Sequence, residues 1–173
     1  DRIGNIRVPF LSAMSMLQAK DNDTHSYLEI ADALRQYGAD PSKDLAQLWR
    51  RIVFGILISN TDDHLRNHGF LYERHKGWRL SSAYDLNPTP VEIKPRILTT
   101  TIDLNDGTAS LDLALSVLKD FRLSQDEAKA IMKEVGIEVA KWRDVAQTLG
   151  LNKAEIDRMV SAFEHSDSSV ASK

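Results

Sequence analysis

The sequence predicts a mainly α-helical domain carrying one small β-hairpin, and three observations predict it. Leu45, Leu48, Trp49, Ile52, Val53, Ile56 and Leu57 recur at i, i+3, i+4, i+7, i+8, i+11 and i+12, the spacing of one buried helix face. Three capping-box spacings, Ser26-x-x-Glu29, Ser124-x-x-Glu127 and Asn152-x-x-Glu155, mark helix starts along the chain. Between them, Gly69-Phe70-Leu71-Tyr72-Glu73 and Trp78-Arg79-Leu80-Ser81 flank a short polar turn containing Gly77, which reads as a hairpin. The chain has 173 residues, 42% of them hydrophobic, enough for one compact core.

In chain order, residues 1–9 read as extended. Phe10, Met14 and Leu17 share a helical face, so the stretch 10–17 is expected as a short helix. A second helix follows the Ser26 cap, with Tyr27, Ala31 and Leu34 on one face and Gly38 as its left-handed terminator. Pro41-Ser42 opens the long periodic helix, whose second half is apolar all round. A helix apolar on every side is buried on every side, so the polar segment 60–67 that follows emerges from the middle of the domain. After the hairpin, Pro88, Pro90 and Pro95 keep the chain irregular to about residue 96, and 97–102 reads as a short strand or extended edge. Ser110 caps a helix over 111–119. The Ser124 box opens a long run through Ile131, Val135, Val139, Trp142 and Leu149, ended by Gly150. Asn152 starts a last helix with Ile156, Met159, Val160 and Phe163. Trp49, Trp142 and Phe163 fall at core spacing and read as packing. The small polar stretch 165–173 is expected to be a disordered tail, so the domain is expected over 1–164, with no repeat or linker dividing it.

Bulk properties narrow the function. Lys plus Arg number 22 against 25 Asp plus Glu, and a net charge of −3 gives no general attraction to nucleic acid or anionic membrane. The absence of cysteine excludes disulfides, thiolate metal sites and a cysteine nucleophile, and fits a cytoplasmic location. The longest apolar run, 52–58, falls far short of the ~20 residues that span a bilayer, and no membrane association is expected. The chain begins at Asp1 instead of methionine, so it is expected to have been cut from a longer protein.

The chemistry concentrates in one segment. Asp62 and Asn67 lie five residues apart in the polar loop, and Asp85 lies just beyond the hairpin. Phosphoryl transfer uses these groups: a carboxylate to orient and deprotonate the attacking hydroxyl, and an amide oxygen plus a second carboxylate to hold Mg²⁺. Kinases arrange them as D-x-x-x-x-N, a hairpin, then the metal-binding Asp. Alone, Asp62 or Asn67 is equally an ordinary turn cap, and Asp85 an ordinary loop aspartate. His64 and His68, spaced i, i+4 beside carboxylates, also leave open a metal-dependent hydrolase, although no HEXXH-type base accompanies them.

Asn60-Thr61-Asp62-Asp63-His64-Leu65-Arg66-Asn67-His68-Gly69-Phe70 resembles the T-D-x-H-x-K-N-x-x-[FI] catalytic loop of HipA-type serine/threonine kinases. Trp78-Arg79-Leu80-Ser81-Ser82-Ala83-Tyr84-Asp85-Leu86 is similar to that family's (W/Y)-R-L-x-P-x-Y-D-(I/L). The resemblance covers most of the chain, from the opening Asp-Arg through Tyr27-Leu28-Glu29-Ile30, and weakens after about residue 110. It implies the helical C-terminal lobe of a protein-kinase-like fold, with the hairpin beside the catalytic loop. It implies Asp62 as catalytic base, His64 and Arg66 as catalytic-loop residues ordering the loop and facing the nucleotide phosphates, and Asn67 and Asp85 as Mg²⁺ ligands. ATP is the implied co-substrate and a protein hydroxyl the acceptor. The toxin role in a toxin–antitoxin pair, with its link to bacterial persistence, and a HipB-like DNA-binding antitoxin partner also follow from the resemblance alone. The sequence departs from the family pattern at Arg66, where lysine is commoner, and at Ser82, where proline is usual. Asp63 stands beside Asp62 as a second carboxylate, and the five-residue step to Asn67 selects Asp62. No G-x-G-x-x-G loop and no strand-borne V-A-I-K-like lysine is present, so the nucleotide-covering lobe is expected to be missing and the chain alone to be inactive. Lipid or small-molecule kinases share D-x-H-x-x-N with a following Asp, and a non-catalytic helical interaction module of the same shape remains a third reading.

Overall fold

The structure, a computed structural model, describes residues 2–21 and 23–171. It is mainly helical, with a small three-stranded antiparallel sheet. Strands β1 (Arg2–Ile3) and β2 (Ile6–Arg7) pair as a minimal hairpin, so the expected extended segment folds back on itself. Strand β3 (Phe10–Ser12) leads into the single turn α1 (Ala13–Met16). The short helix expected over 10–17 is therefore half strand: Phe10, Leu11 and Ser12 pair with Leu71, Phe70 and Gly69, and a free sheet edge outcompetes a weak helical period.

Helix α2 (Tyr27–Tyr37) has its capping box at Ser26 and Glu29. Gly38 ends it in extended conformation (φ −72°, ψ 143°), not the left-handed one expected, because the chain here runs alongside Trp78 and Ala39 N–H donates to its carbonyl at 2.8 Å. Helix α3 (Pro41–Leu57) begins at an Asp40 cap with proline in its first turn. Its seven periodic residues are all buried, each stabilising the fold by about 1.5–3 kcal/mol relative to exposure. The Trp49 indole N–H also reaches the Ala114 carbonyl at 3.4 Å.

Strands β4 (Gly69–Glu73) and β5 (Gly77–Leu80) form the expected hairpin, with His75 exposed in its turn. Asp44, buried in the first turn of α3, accepts from Arg79 Nε at 2.8 Å, Arg79 Nη2 at 3.0 Å and Leu80 N–H at 3.2 Å, and this fork fastens the sheet to the helix. The strand expected within 97–102 is absent. Ile97 and Thr101 make isolated bridges to Thr108 and Ser26, while Thr99 and Thr100 bond to the 59–67 loop instead of a sheet.

Helix α4 (Leu111–Ser116) starts at Ser110 and tightens into a 3-10 turn over Leu118–Phe121. The long run after Ser124 divides into α5 (Gln125–Val139) and α6 (Trp142–Thr148). No glycine or proline marks that break, and past it the Trp142 ring stacks on Phe163 at 4.5 Å. The last expected helix likewise divides, into α7 (Lys153–Arg158) and α8 (Val160–Phe163). Within its described part the tail corrects the expectation of disorder, residues 172–173 lying outside the described residues: Ser166–Ala171 form α9, held by Asp167, which pairs with Arg96 at 2.9 Å and accepts from Leu111 N–H at 2.9 Å. One continuous core runs from Ala13 to Ala171. Among the described residues, no helix is long and apolar enough to cross a membrane.

Candidate active site

The 59–67 loop leaves the buried end of α3 through Ser59, a non-glycine residue at φ +54°, and closes with a 3-10 turn over Leu65–Asn67 that delivers the chain to β4. Such a conformation costs about 1–3 kcal/mol and persists only where its surroundings fix it. Ser59 Oγ donates to the Ala162 carbonyl at 2.9 Å and accepts from Arg96 Nε at 3.1 Å. The irregular segment 89–100 then runs along the loop. Thr89 N–H donates to the Ser59 carbonyl (3.1 Å), Thr99 N–H and Oγ1 to the Thr61 carbonyl (3.2 and 2.9 Å), and Thr100 N–H and Oγ1 to the Asp63 carbonyl (3.0 and 2.7 Å).

The two adjacent carboxylates part company. The Asp62 side chain is 79% exposed, and its neighbouring cation is Lys94, with Nζ 3.8 Å from Oδ1. The Asp63 side chain is 5% exposed and accepts from Tyr27 OH at 2.5 Å and faces His68 Nε2 at 3.1 Å. Burial pushes the Asp63 carboxyl upward, but the His68 charge and hydrogen bond, the Tyr27 hydroxyl and His64 outweigh it, so the group stays below the ordinary aspartate range. Burial and the Asp63 charge raise the Tyr27 phenol well above its usual value, which keeps it a donor. Arg51 lies buried near this cluster. Burial lowers its pKa, the charges of Asp63 and Asp44 oppose that, and its Nη2 donates to the Ser81 carbonyl.

Asn67 is buried, and its Nδ2 lies 3.5 Å from the Asp62 carbonyl, tying the ends of the D-x-x-x-x-N span together. Asp85 is exposed at φ +57°, a second strained non-glycine position, and accepts from Asn87 Nδ2 at 2.7 Å. The preceding Tyr84 donates its hydroxyl to the Arg66 carbonyl at 2.7 Å, which fastens the Asp85 segment to the loop. A family model described as "HipA-like C-terminal domain" matches residues 1–166. The chain belongs to that family.

The match runs well past residue 110, beyond the motifs that carry the resemblance in the sequence. The chain is also 27% identical over 135 residues to a Haemophilus influenzae protein named "Putative kinase". The aligned region covers 77% of this chain but 36% of that relative, so the chain spans well under half of the relative's length.

Within this HipA-like domain, Asp62, His64, Arg66 and Asn67 share one loop, and Asp85 follows Tyr84, whose hydroxyl is bonded to that loop. Arg66 ion-pairs with Asp21. His64 lines a cavity of about 360 Å³ with Arg66, Lys20, Asp21 and His25, and its buried Nδ1 has no hydrogen-bond partner. Asn67 and Asp85 offer only oxygen donors, the chemistry of a hard cation such as Mg²⁺. His64 and His68 do not form a helical metal pair: the turn between them is 3-10, His68 Nε2 is engaged with Asp63, and no three His, Cys, Asp or Glu cluster as a metal site among the described residues. Sequence reasoning missed Arg51, Lys94 and the threonines of 99–100, placed Tyr27 only on a helix face, and read His68 only as a partner of His64 in a metal site. Only proximity in space identifies them, and the Thr99-Thr100-Thr101 run was the one local hint of a polar seam.

Proposed function

We propose that this domain is the catalytic-loop lobe of a HipA-like serine/threonine protein kinase, which transfers the ATP γ-phosphate to a protein hydroxyl. The observation that carries this is the division of labour between adjacent carboxylates, one exposed and the other buried in a hydrogen-bonded anchor. A base must meet its substrate, and a loop must be held while it does. Asp62 orients the acceptor hydroxyl and takes its proton. Asp63, through Tyr27 and His68, holds the loop backbone in place. Asn67 and Asp85 would hold Mg²⁺, which neutralises charge on the phosphate oxygens when bound. His64 lies in the cavity beside Arg66, where it would order the loop beneath the nucleotide. A nucleotide-covering lobe supplied by the whole protein completes the site, so this chain alone binds ATP weakly. The same family resemblance supports a toxin role in a toxin–antitoxin pair, in the cytoplasm, with a small DNA-binding antitoxin as partner.

The test is phosphate transfer from γ-labelled ATP by the full-length protein with Mg²⁺, offered a protein fraction, a lipid extract and an aminoglycoside in parallel. Label in serine or threonine of a protein is expected. Label confined to lipid or aminoglycoside would replace the protein-kinase reading with a lipid- or small-molecule-kinase one.

A further inference from the structure

The sequence points to Arg66 as the loop's cation, yet Arg66 is paired with Asp21, and the cation beside Asp62 comes from elsewhere in the chain. Lys94 lies on the 89–100 segment. Its backbone is set by a turn in which Ile93 N–H and Lys94 N–H both donate to the Pro90 carbonyl (2.9 and 3.2 Å), with Pro95 following. Its Nζ donates to the Thr61 carbonyl at 3.2 Å, the oxygen that also receives both Thr99 bonds, and stands 3.8 Å from Asp62 Oδ1. The side chain keeps 42% exposure, so the ammonium is held by the loop and still open on one side. A chance surface pair would join two mobile side chains. Here the lysine is anchored to main chain on the loop it serves.

We propose that Lys94 is a catalytic residue that contacts the phosphoryl group in transit, in the role the sequence gives to Arg66. The inference rests on the kinase reading of Asp62. An acceptor hydroxyl bonded to Asp62 lies about 3 Å from its carboxylate, with phosphorus about 3–3.5 Å further in an attack-ready pose. An ammonium held 3.8 Å from the same carboxylate and open on one side reaches the oxygens of that phosphoryl group. In the step, the hydroxyl oxygen forms a bond to the γ-phosphorus and the bond from that phosphorus to the bridging oxygen breaks. ADP leaves with the electron pair, and the hydroxyl proton passes to Asp62. Lys94 balances charge on the equatorial oxygens.

The test compares Lys94→Met, Lys94→Arg and Asp62→Asn in the full-length protein, measuring kcat, KM for ATP and melting temperature. Lys94→Met is expected to lower kcat by about 10²–10³-fold, as loss of one preorganised charge does, with KM for ATP and melting unchanged. Lys94→Arg should recover at least about tenfold of that loss by restoring the charge. Near-normal kcat in Lys94→Met while Asp62→Asn is inactive overturns the Lys94 assignment alone. A raised KM at normal kcat, or equal loss in Met and Arg variants with lowered melting, overturns it in favour of ground-state binding or structural support. Full activity in Asp62→Asn removes the kinase reading beneath both.

Discussion

Asp62 and Asp63 are neighbours in sequence and opposites in environment, so the same substitution separates their roles. Asp63→Asn leaves Tyr27 and His68 facing a weaker acceptor in a buried cluster, and a loss of about 3 kcal/mol is expected in urea denaturation. Asp62→Asn, at an exposed site, should shift stability by no more than about 0.5 kcal/mol. Equal costs would show that the two carboxylates are not divided as described. The pH dependence carries the same signature. Because the Asp63 carboxyl sits below its unfolded value near 3.8, the folded state binds fewer protons there. Its contribution is complete above that value and is lost as pH falls through the lower folded one. The parent protein should therefore lose stability below about pH 4 more steeply than Asp63→Asn. The motif spacing pointed to Asp62 over Asp63 in the sequence, but nothing there revealed what Asp63 does, since Tyr27 reaches it from another helix.

At the scale of elements, the starts of the capped helices were legible and α3 almost to the residue, because local pattern and burial agree there, whereas the breaks after α5 and α7 were not. The misread elements are those decided by partners distant in sequence. Phe10–Ser12 became strand through β4, the 97–102 segment became a brace for the 59–67 loop, and Ser166–Ala171 of the polar tail became α9 by docking on α5. Gly136 tests that docking by the sign of its effect. In a free helix, glycine to alanine stabilises by about 1 kcal/mol. Here a Cβ on Gly136 would lie 2.6 Å from the Ala171 carbonyl oxygen. Gly136→Ala is therefore expected to destabilise the domain and to increase amide exchange in 166–171. Stabilisation with unchanged exchange would mean that α9 does not dock.

For the molecule as a whole, α3 and the core around it present a polar loop at their end, and 89–100 laces that loop into register. The candidate site is legible in sequence as two motifs in order, Asp62 to Asn67 and then Asp85. Its supporting network is not, because a carbonyl that receives three bonds leaves no trace in residue spacing. The central claim is that Asp62 is the base of a phosphotransfer site, and the most direct measurement is kcat for phosphate transfer by full-length Asp62→Asn, with melting followed alongside. A fall of about 10²–10⁴-fold at unchanged melting temperature is predicted, the range a general base supplies. Parental kcat in a folded Asp62→Asn protein would contradict it.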